Sequence, residues 1–376
     1  TMVMLAQAIA LEKSILNPKI ILVTDRIDLD DQITGTFRKC GIYVENATTG
    51  QRLVDLLGSK SDAVITTVIN KFEAAVKKVK EPFLSADIFV LIDEGHRTQY
   101  GSFNIQMQQT LPHACFIAMT GTPLMKKEKS TAGKFGGIIL PTYTITDAVA
   151  DGAVVPILYE GRHAIQQVNE NPIDTFFNLI SESLNTYQKA DLKRKFSRAD
   201  QLNVADQKTY AIAWDISRHF RDNWQGTPFK AQLVCQSKLA AIRYKEYLDE
   251  IGYVSSAIVM SPPDQREGED SAYHETSDRI KRYWTALMDE HGDARRYEKH
   301  IIQRFKKQAH PEIIIVVDKL LTGFDAPVNT VLYLTRKLKE HSLLQAIARV
   351  NRVCEQKDFG YVIDYYGVLK ELDEAL

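Results

Sequence analysis

The feature that most restricts the fold is a set of short apolar runs with no two-residue alternation. Four fall in the first half: KIILVT (19–24), DAVITTV (62–68), FVLI (89–92) and CFIAM (115–119). Five more follow: AQLVCQ (231–236), SSAIVM (255–260), IIIVV (313–317), TVLYLT (330–335) and YVIDYY (361–366). A strand with one wet face alternates apolar and polar residues, so these runs belong to strands buried on both faces. Burial on both faces requires helices above and below. Helix-like stretches do separate the runs, such as DLDDQITGTFRKC after the first and KLAAIRYKEYLDEIG in the second half. The pattern predicts an α/β fold built on doubly wound parallel sheets.

The alternation lapses over residues 126–205, which hold KFGGIILP, DGAVVPILYE and the polar DLKRKFSRADQ. We read two tandem domains, 1–150 and 211–376, joined by a crossing and insertion at 151–210. A charged, helical insertion at about 262–311, with DRIKRYWTALMDEHG its clearest helix, sits in the second domain. A length of 376 residues suits two cores of ordinary size. The opening TMVMLAQAIALEKSIL reads as a helix that begins at residue 1 without a cap, as expected of a piece of a longer chain.

Composition mainly excludes. No apolar run approaches the roughly 20 residues that span a bilayer, and no signal segment opens the chain. Cys40, Cys115, Cys235 and Cys354 are far apart and form no CxxC, so a zinc module or disulfide framework is not expected. The four fit a reducing cytoplasm, as small core hydrophobes. The net charge of −1 gives no sign of a nucleic-acid partner, and basic clusters such as KKVK (77–80) and RFKK (304–307) suit solvated faces.

Four polar clusters fall at or just beyond strand carboxyl ends, where doubly wound sheets collect ligands. Asp93-Glu94-Gly95-His96-Arg97 follows FVLI. An aspartate there can hold Mg²⁺ beside a nucleotide, and a neighbouring carboxylate can orient water and take its proton. A pair that merely caps a helix is the bland alternative. A protein-only zinc site fails on spacing, because His96 has no nearby second ligand and HExxH is absent. Met119-Thr120-Gly121-Thr122-Pro123 follows CFIAM and suits a tight turn with two hydroxyls. Thr322-Gly323-Phe324-Asp325 follows IIIVV, where Gly323 admits close backbone approach and Asp325 can accept from a ribose or position an arginine. Gln345, Arg349 and Arg352 share one face if the helix runs on, an arrangement that suits an anion clamp or a solvated face. Asp25-Arg26 and Thr66-Thr67 with Lys71 also lie at strand ends, where phosphate contacts and plain capping are both open.

Taken in order, these clusters resemble the motif set of a superfamily-two helicase or translocase. VTDRIDLDDQ and ITTVINKF are similar to its DNA-contact motifs, LIDEGHR to its Walker B motif, and MTGTP to its coupling motif. LLTGFDAP and QAIARVNR resemble its fifth and sixth motifs. Within that group DLDDQ, DEGHRTQYG, GFDAP and the stretch YTITDAVADGAVVPILYEGR resemble the motor of the restriction (R, HsdR-type) subunit of type I restriction–modification enzymes. One departure stands out: no G-x-x-x-x-G-K-[ST] loop occurs, and the resemblance places that loop immediately before Thr1 and a nuclease domain further upstream. Glu355-Gln356-Lys357 mimics a nuclease E-x-K element and reads as coincidence.

The resemblance implies two RecA-like domains that bind ATP and Mg²⁺ and run along double-stranded DNA. Asp93 would hold the metal, Glu94 would activate water, and His96 would link them to Thr120 and Thr122. Gly323 and Asp325 would line the nucleotide, while Gln345, Arg349 and Arg352 would reach its phosphates. Asp25, Arg26, Thr66, Thr67 and Lys71 would contact DNA. Methyltransferase (M) and specificity (S) subunits would be partners, with sequence reading left to the latter. A strand-separating repair helicase and a non-catalytic DNA-binding scaffold are the rival readings.

Overall fold

The structure, a computed structural model, describes residues 1–24, 27–59, 64–79, 81–95, 109–121, 133, 135–162, 186, 206–263, 274–338 and 340–367. It divides into two compact units, Thr1–Thr142 and Tyr143–Leu376.

In the first unit, five parallel strands stand in the order β2-β3-β1-β4-β5. They are β1 (Lys19–Thr24), β2 (Val44–Asn46), β3 (Val64–Val68), β4 (Ile88–Asp93) and β5 (Cys115–Met119). The missing alternation has the expected cause. Along β1, Ile21 and Val23 join Ile65, Val90 and Ile92 under Leu53, Leu56 and Phe72. Its Ile20 and Leu22 join Val64 and Leu91 on the other face, against Ala6, Ile9 and Phe37. The covering residues come from helices α1 (Met2–Leu11), α2 (Ile27–Lys39), α3 (Gly50–Gly58) and α4 (Ile69–Val76). Each aliphatic side chain so buried contributes about 1.5–3 kcal/mol of transfer free energy. Lys19 secures the entry to β1 by donating to the carbonyls of Leu56 (3.1 Å) and Leu57 (2.6 Å) at the negative end of α3. β2 has three residues, too few for an apolar run to reveal.

The second unit carries six parallel strands in the order β6-β11-β10-β7-β9-β8. They are β6 (Ile157–Gly161), β7 (Lys230–Val234), β8 (Ser256–Val259), β9 (Ile313–Val316), β10 (Asn329–Leu334) and β11 (Gly360–Asp364). One face buries Leu233, Ile315 and Tyr333 against α6 (Asp206–Asn223) and α7 (Lys238–Ile251), through Ile216, Phe220 and Leu248. The other buries Ile314, Val316 and Leu332 against α9 (Ala294–Lys307) and α10 (Glu340–Ile347).

Two features of the layout differ from the sequence reading. The unit boundary falls at 142/143 rather than 150, and the segment read as a crossing contains a helix and a strand of the second unit. Helix α5 (Ile145–Ala150) begins at a capping box between Thr144 and Asp147, and β6 then pairs with β11 at the sheet edge. The charged stretch near 262–311 is no appendage. β8 and β9 are parallel neighbours and need a crossover, which α8 (His274–His291) and α9 provide. Ile280 of α8 joins one core face, and Tyr297, Ile301 and Phe305 of α9 join the other. Arg304, Lys306 and Lys307 close α9, where cations favour the helix dipole, which accounts for RFKK without DNA. Of the cysteines only Cys235 is buried, and Cys40 and Cys115 are exposed. Among the described residues no helix is long and apolar enough to cross a membrane.

Candidate functional site

Asp93 ends β4, in register with Met119 at the end of β5, so the first two expected clusters stand side by side. Both Asp93 and Glu94 are half-buried. Glu94 has φ +53°, a left-handed conformation that costs a residue with a Cβ about 1–2 kcal/mol. Such outliers persist where the surroundings hold them, commonly at functional sites. Here Gly95 supplies the hold: its N–H donates to the Met119 carbonyl (3.3 Å), and an added Cβ would stand 2.6 Å from that of Ala118. Only glycine lets the turn lie this close to β5. Thr120 follows β5 and is half-buried. His96, Thr122, Asp25 and Arg26 lie outside the described residues.

The expected phosphate contacts from Thr66 and Thr67 meet a different arrangement. Both side chains are fully buried, because β3 is an interior strand covered on both faces. Thr66 Oγ1 lies 3.3 Å from Thr34 Oγ1 and accepts from Asn46 Nδ2 (3.2 Å). Asn46 also donates to the buried Asp30. Burial pushes the Asp30 carboxyl up, against the pull of Asn46, Thr66 and Lys71. The Thr66 hydroxyl therefore knits α2, β2 and β3 together, the Thr67 hydroxyl is buried without a hydrogen-bond partner, and neither faces solvent. Lys71, half-buried on α4, is near enough to Asp30 to act on its charge. The sequence reading passed over Asp30, although DLDDQ puts it on the inner face of α2.

In the second unit the loop after β9 reverses through two left-handed residues, Leu320 (φ +63°) and Gly323 (φ +70°). Asp325 follows, with its side chain about 41% exposed and 3.5 Å from the Arg352 guanidinium. The expected shared helical face for Gln345, Arg349 and Arg352 is not formed. Helix α10 ends at Ile347, and Arg349 N–H and Val350 N–H bond three residues back, to Ala346 and Ile347. The chain then leaves the helix to pair elsewhere: Val155 N–H donates to the Asn351 carbonyl (2.8 Å), and Arg352 bridges to Val154.

That break gives the two arginines different tasks. Gln345 and Arg349 are buried, and Arg349 donates to the carbonyls of Gln345 (3.1 Å) and Phe324 (2.7 Å). Arg349 thus fastens the glycine loop to the arginine turn. Arg352 is about 42% exposed and its ion pair is long. A buried amine completes the assembly. Lys357, expected to be incidental, donates to the carbonyls of Pro327 (3.0 Å) and Asn329 (2.8 Å).

Gly360, at the start of β11, has the Val350 carbonyl oxygen only 2.4 Å from where a Cβ would sit. Gly360→Ala should therefore force the arginine turn off the sheet, costing about 2–3 kcal/mol as overpacking does. Thermal unfolding checks this, and an unchanged Tm would contradict the packing described.

A second polar network lies at the β6 edge. Arg162 donates to Glu160 (2.7 Å) and Asp215 (2.6 Å), and the hydroxyls of Tyr365 and Tyr361 donate to Asp215 and Glu160. His219 Nδ1 sits 2.7 Å from the Tyr333 hydroxyl. Burial, with Arg162 close by, drives the His219 pKa down to about 4. The network straps β6 to α6 and β11. Sequence reasoning missed it because its members are scattered through a stretch without periodicity.

The fold places the chain among known structures. A fragment of an HsdR subunit of a type I restriction enzyme from Vibrio vulnificus YJ016 superposes with a TM-score of 0.58 at 16% identity, covering 94% of this chain and 54% of that one. Dbp5 of S. cerevisiae, solved with RNA and ADP BeF3, gives 0.54 at 10% identity, covering 99% and 79%. Two parallel-sheet units of this kind define a RecA-like helicase fold. Residues 1–190 match the SWI2/SNF2 ATPase family, and 227–367 match domain 3 of the type I restriction enzyme subunit R. The chain belongs to the SWI2/SNF2 ATPase family, in the form found with type I restriction R subunits. An endonuclease subunit described as the MjaIXP type I restriction enzyme of Methanocaldococcus jannaschii is 31% identical over the whole chain. The HindI endonuclease subunit of Haemophilus influenzae is 31% identical over 96% of it. The chain spans 35% of the length of each of these two relatives.

Proposed function

We propose that this chain is the motor portion of a type I restriction enzyme R subunit, which hydrolyses ATP to move double-stranded DNA before a separate nuclease domain cuts it. The observation that carries the reading is the division of labour at the arginine turn. Arg349 is spent on backbone carbonyls, whereas Arg352 keeps an exposed guanidinium beside a glycine loop, held by one long ion pair. A guanidinium so placed matches phosphate oxygens.

The donor set fits Mg²⁺ and ATP. Asp93 is a half-buried carboxylate at a strand end, the type of ligand the ion prefers. Mg²⁺, when bound, neutralises phosphate charge. Glu94, turned by its left-handed backbone, orients a water and takes its proton. Arg352 offsets the charge that develops on the transferring phosphoryl group. Thr120, with His96 and Thr122, links this chemistry to the DNA contacts, to which Lys71, Asp25 and Arg26 contribute. M and S subunits supply assembly and sequence reading.

Movement along duplex distinguishes this motor from a strand-separating helicase. The intact subunit, with its M and S partners and ATP, should displace a triplex-forming strand from duplex DNA and leave a strand-displacement substrate paired. Strand separation would instead favour the repair-type reading, and neither signal with ATP consumed would refute translocation.

A further inference from the structure

Lys357 is one of the few buried cations in the second unit, about 6% exposed, and it is anchored to backbone rather than to a carboxylate. Its backbone N–H closes a turn onto the Cys354 carbonyl (3.1 Å), through Gln356 at φ +61°. Its amine reaches Pro327 and Asn329, where the glycine loop carrying Asp325 enters β10. Loop and arginine turn therefore meet at three levels: Lys357 at the base, Arg349 on Phe324 in the middle, and Arg352 beside Asp325 at the tip.

We propose that Lys357 is a positioning residue for Arg352, fixing the arginine turn against the glycine loop so that the guanidinium is presented in one place. The inference rests on the reading of Arg352 as the group that meets the ATP phosphates. The base link involves neither arginine, so its loss would free the foot of the turn while leaving the Arg349 and Arg352 contacts chemically intact. Two N–H groups satisfy the two carbonyls, so a neutral amine serves as well as a charged one. That suits a site where burial, with the like charge of Arg352 adding, brings the lysine down to about 8.

The test uses the full-length R subunit assembled with its M and S subunits on target DNA. Lys357→Met removes the donors at similar length and should lower kcat for ATP roughly 10- to 100-fold, as small misplacements of reacting groups do. KM for ATP should stay within about threefold, the signature of an interaction made in the transition state. In an Arg352→Lys background the same change should cost less than about threefold, because residues that act as a unit do not add. An equal loss in both backgrounds, or an unchanged kcat in the first, overturns the proposal. Should Lys357→Met fail to assemble, Lys357→Gln, which keeps two N–H donors at shorter reach, is read by the same coupling criterion. Normal turnover in Arg352→Ala would instead remove the premise, and so the two failures are told apart.

Discussion

Arg352→Ala in the intact subunit should abolish ATP turnover and leave DNA binding largely unchanged. Guanidiniums that stabilise phosphoryl transfer contribute about 10³ to 10⁵ in rate, so residual activity should fall by at least the lower figure. The fold should survive, since the side chain is partly exposed and its ion pair with Asp325 is long. Arg349→Ala makes the contrast. It strips donors from two carbonyls inside the protein and should cost about 2–4 kcal/mol of stability, the penalty for buried polar groups left unmade. Measured together, ATPase rates, DNA affinity and Tm separate a chemical arginine from a structural one. Near-normal turnover in Arg352→Ala would sink the assignment.

Acid should destabilise the second unit well before its carboxylates protonate. His219 is neutral in the folded protein, with a pKa of about 4 against 6.5 for the free side chain. Between those values the unfolded chain binds the extra proton, so stability is complete above about pH 6.5 and is lost as pH falls towards 4. Full loss corresponds to roughly 3 kcal/mol. The groups that face the imidazole are Arg162, which opposes its protonation, and Glu160, Asp215 and Asp222, which favour it, with Tyr333 and Tyr361 alongside. Glu160, held low chiefly by Arg162, extends the acid loss below this window. Asp30 acts in the opposite sense, because burial raises it. The informative quantity is therefore the difference between the wild type and His219→Gln in Tm across pH 7 to 4. Parallel curves would show that His219 does not control the slope.

Much of this architecture is legible in the sequence because it depends on a two-sided burial that leaves a visible mark. All nine apolar runs became strands, and Ile20 to Val23 show why: consecutive residues enter opposite cores. β6 left no such mark, since an edge strand like ILYEG is only half covered. The site divided along similar lines. The strand-end position of Asp93 and the left-handed turn at Gly323 were readable, because a strand end and a glycine are local signals. The end of α10 was not, because the periodicity of LLQAIARVNR runs on while the pairing of Val154 and Val155 with residues 351 and 352 draws the chain out of the helix. The burial of Thr66 and Thr67 was not readable for a related reason: a hydroxyl at a strand end looks the same in sequence whether it meets solvent or, like Thr66, Asn46.

The pairing of Val154 and Val155 with the arginine turn makes the chain its own lever. The polypeptide that leaves the first unit at residue 142 is hydrogen-bonded, after one short helix, to the backbone of Asn351 and Arg352. Residues 154 and 155 thus touch the main chain of Asn351 and Arg352 directly, with no side chain needed as a relay. On the proposed role of Arg352, substitutions in residues 143–155 would detune ATP turnover from a segment to which none of the chemistry is assigned.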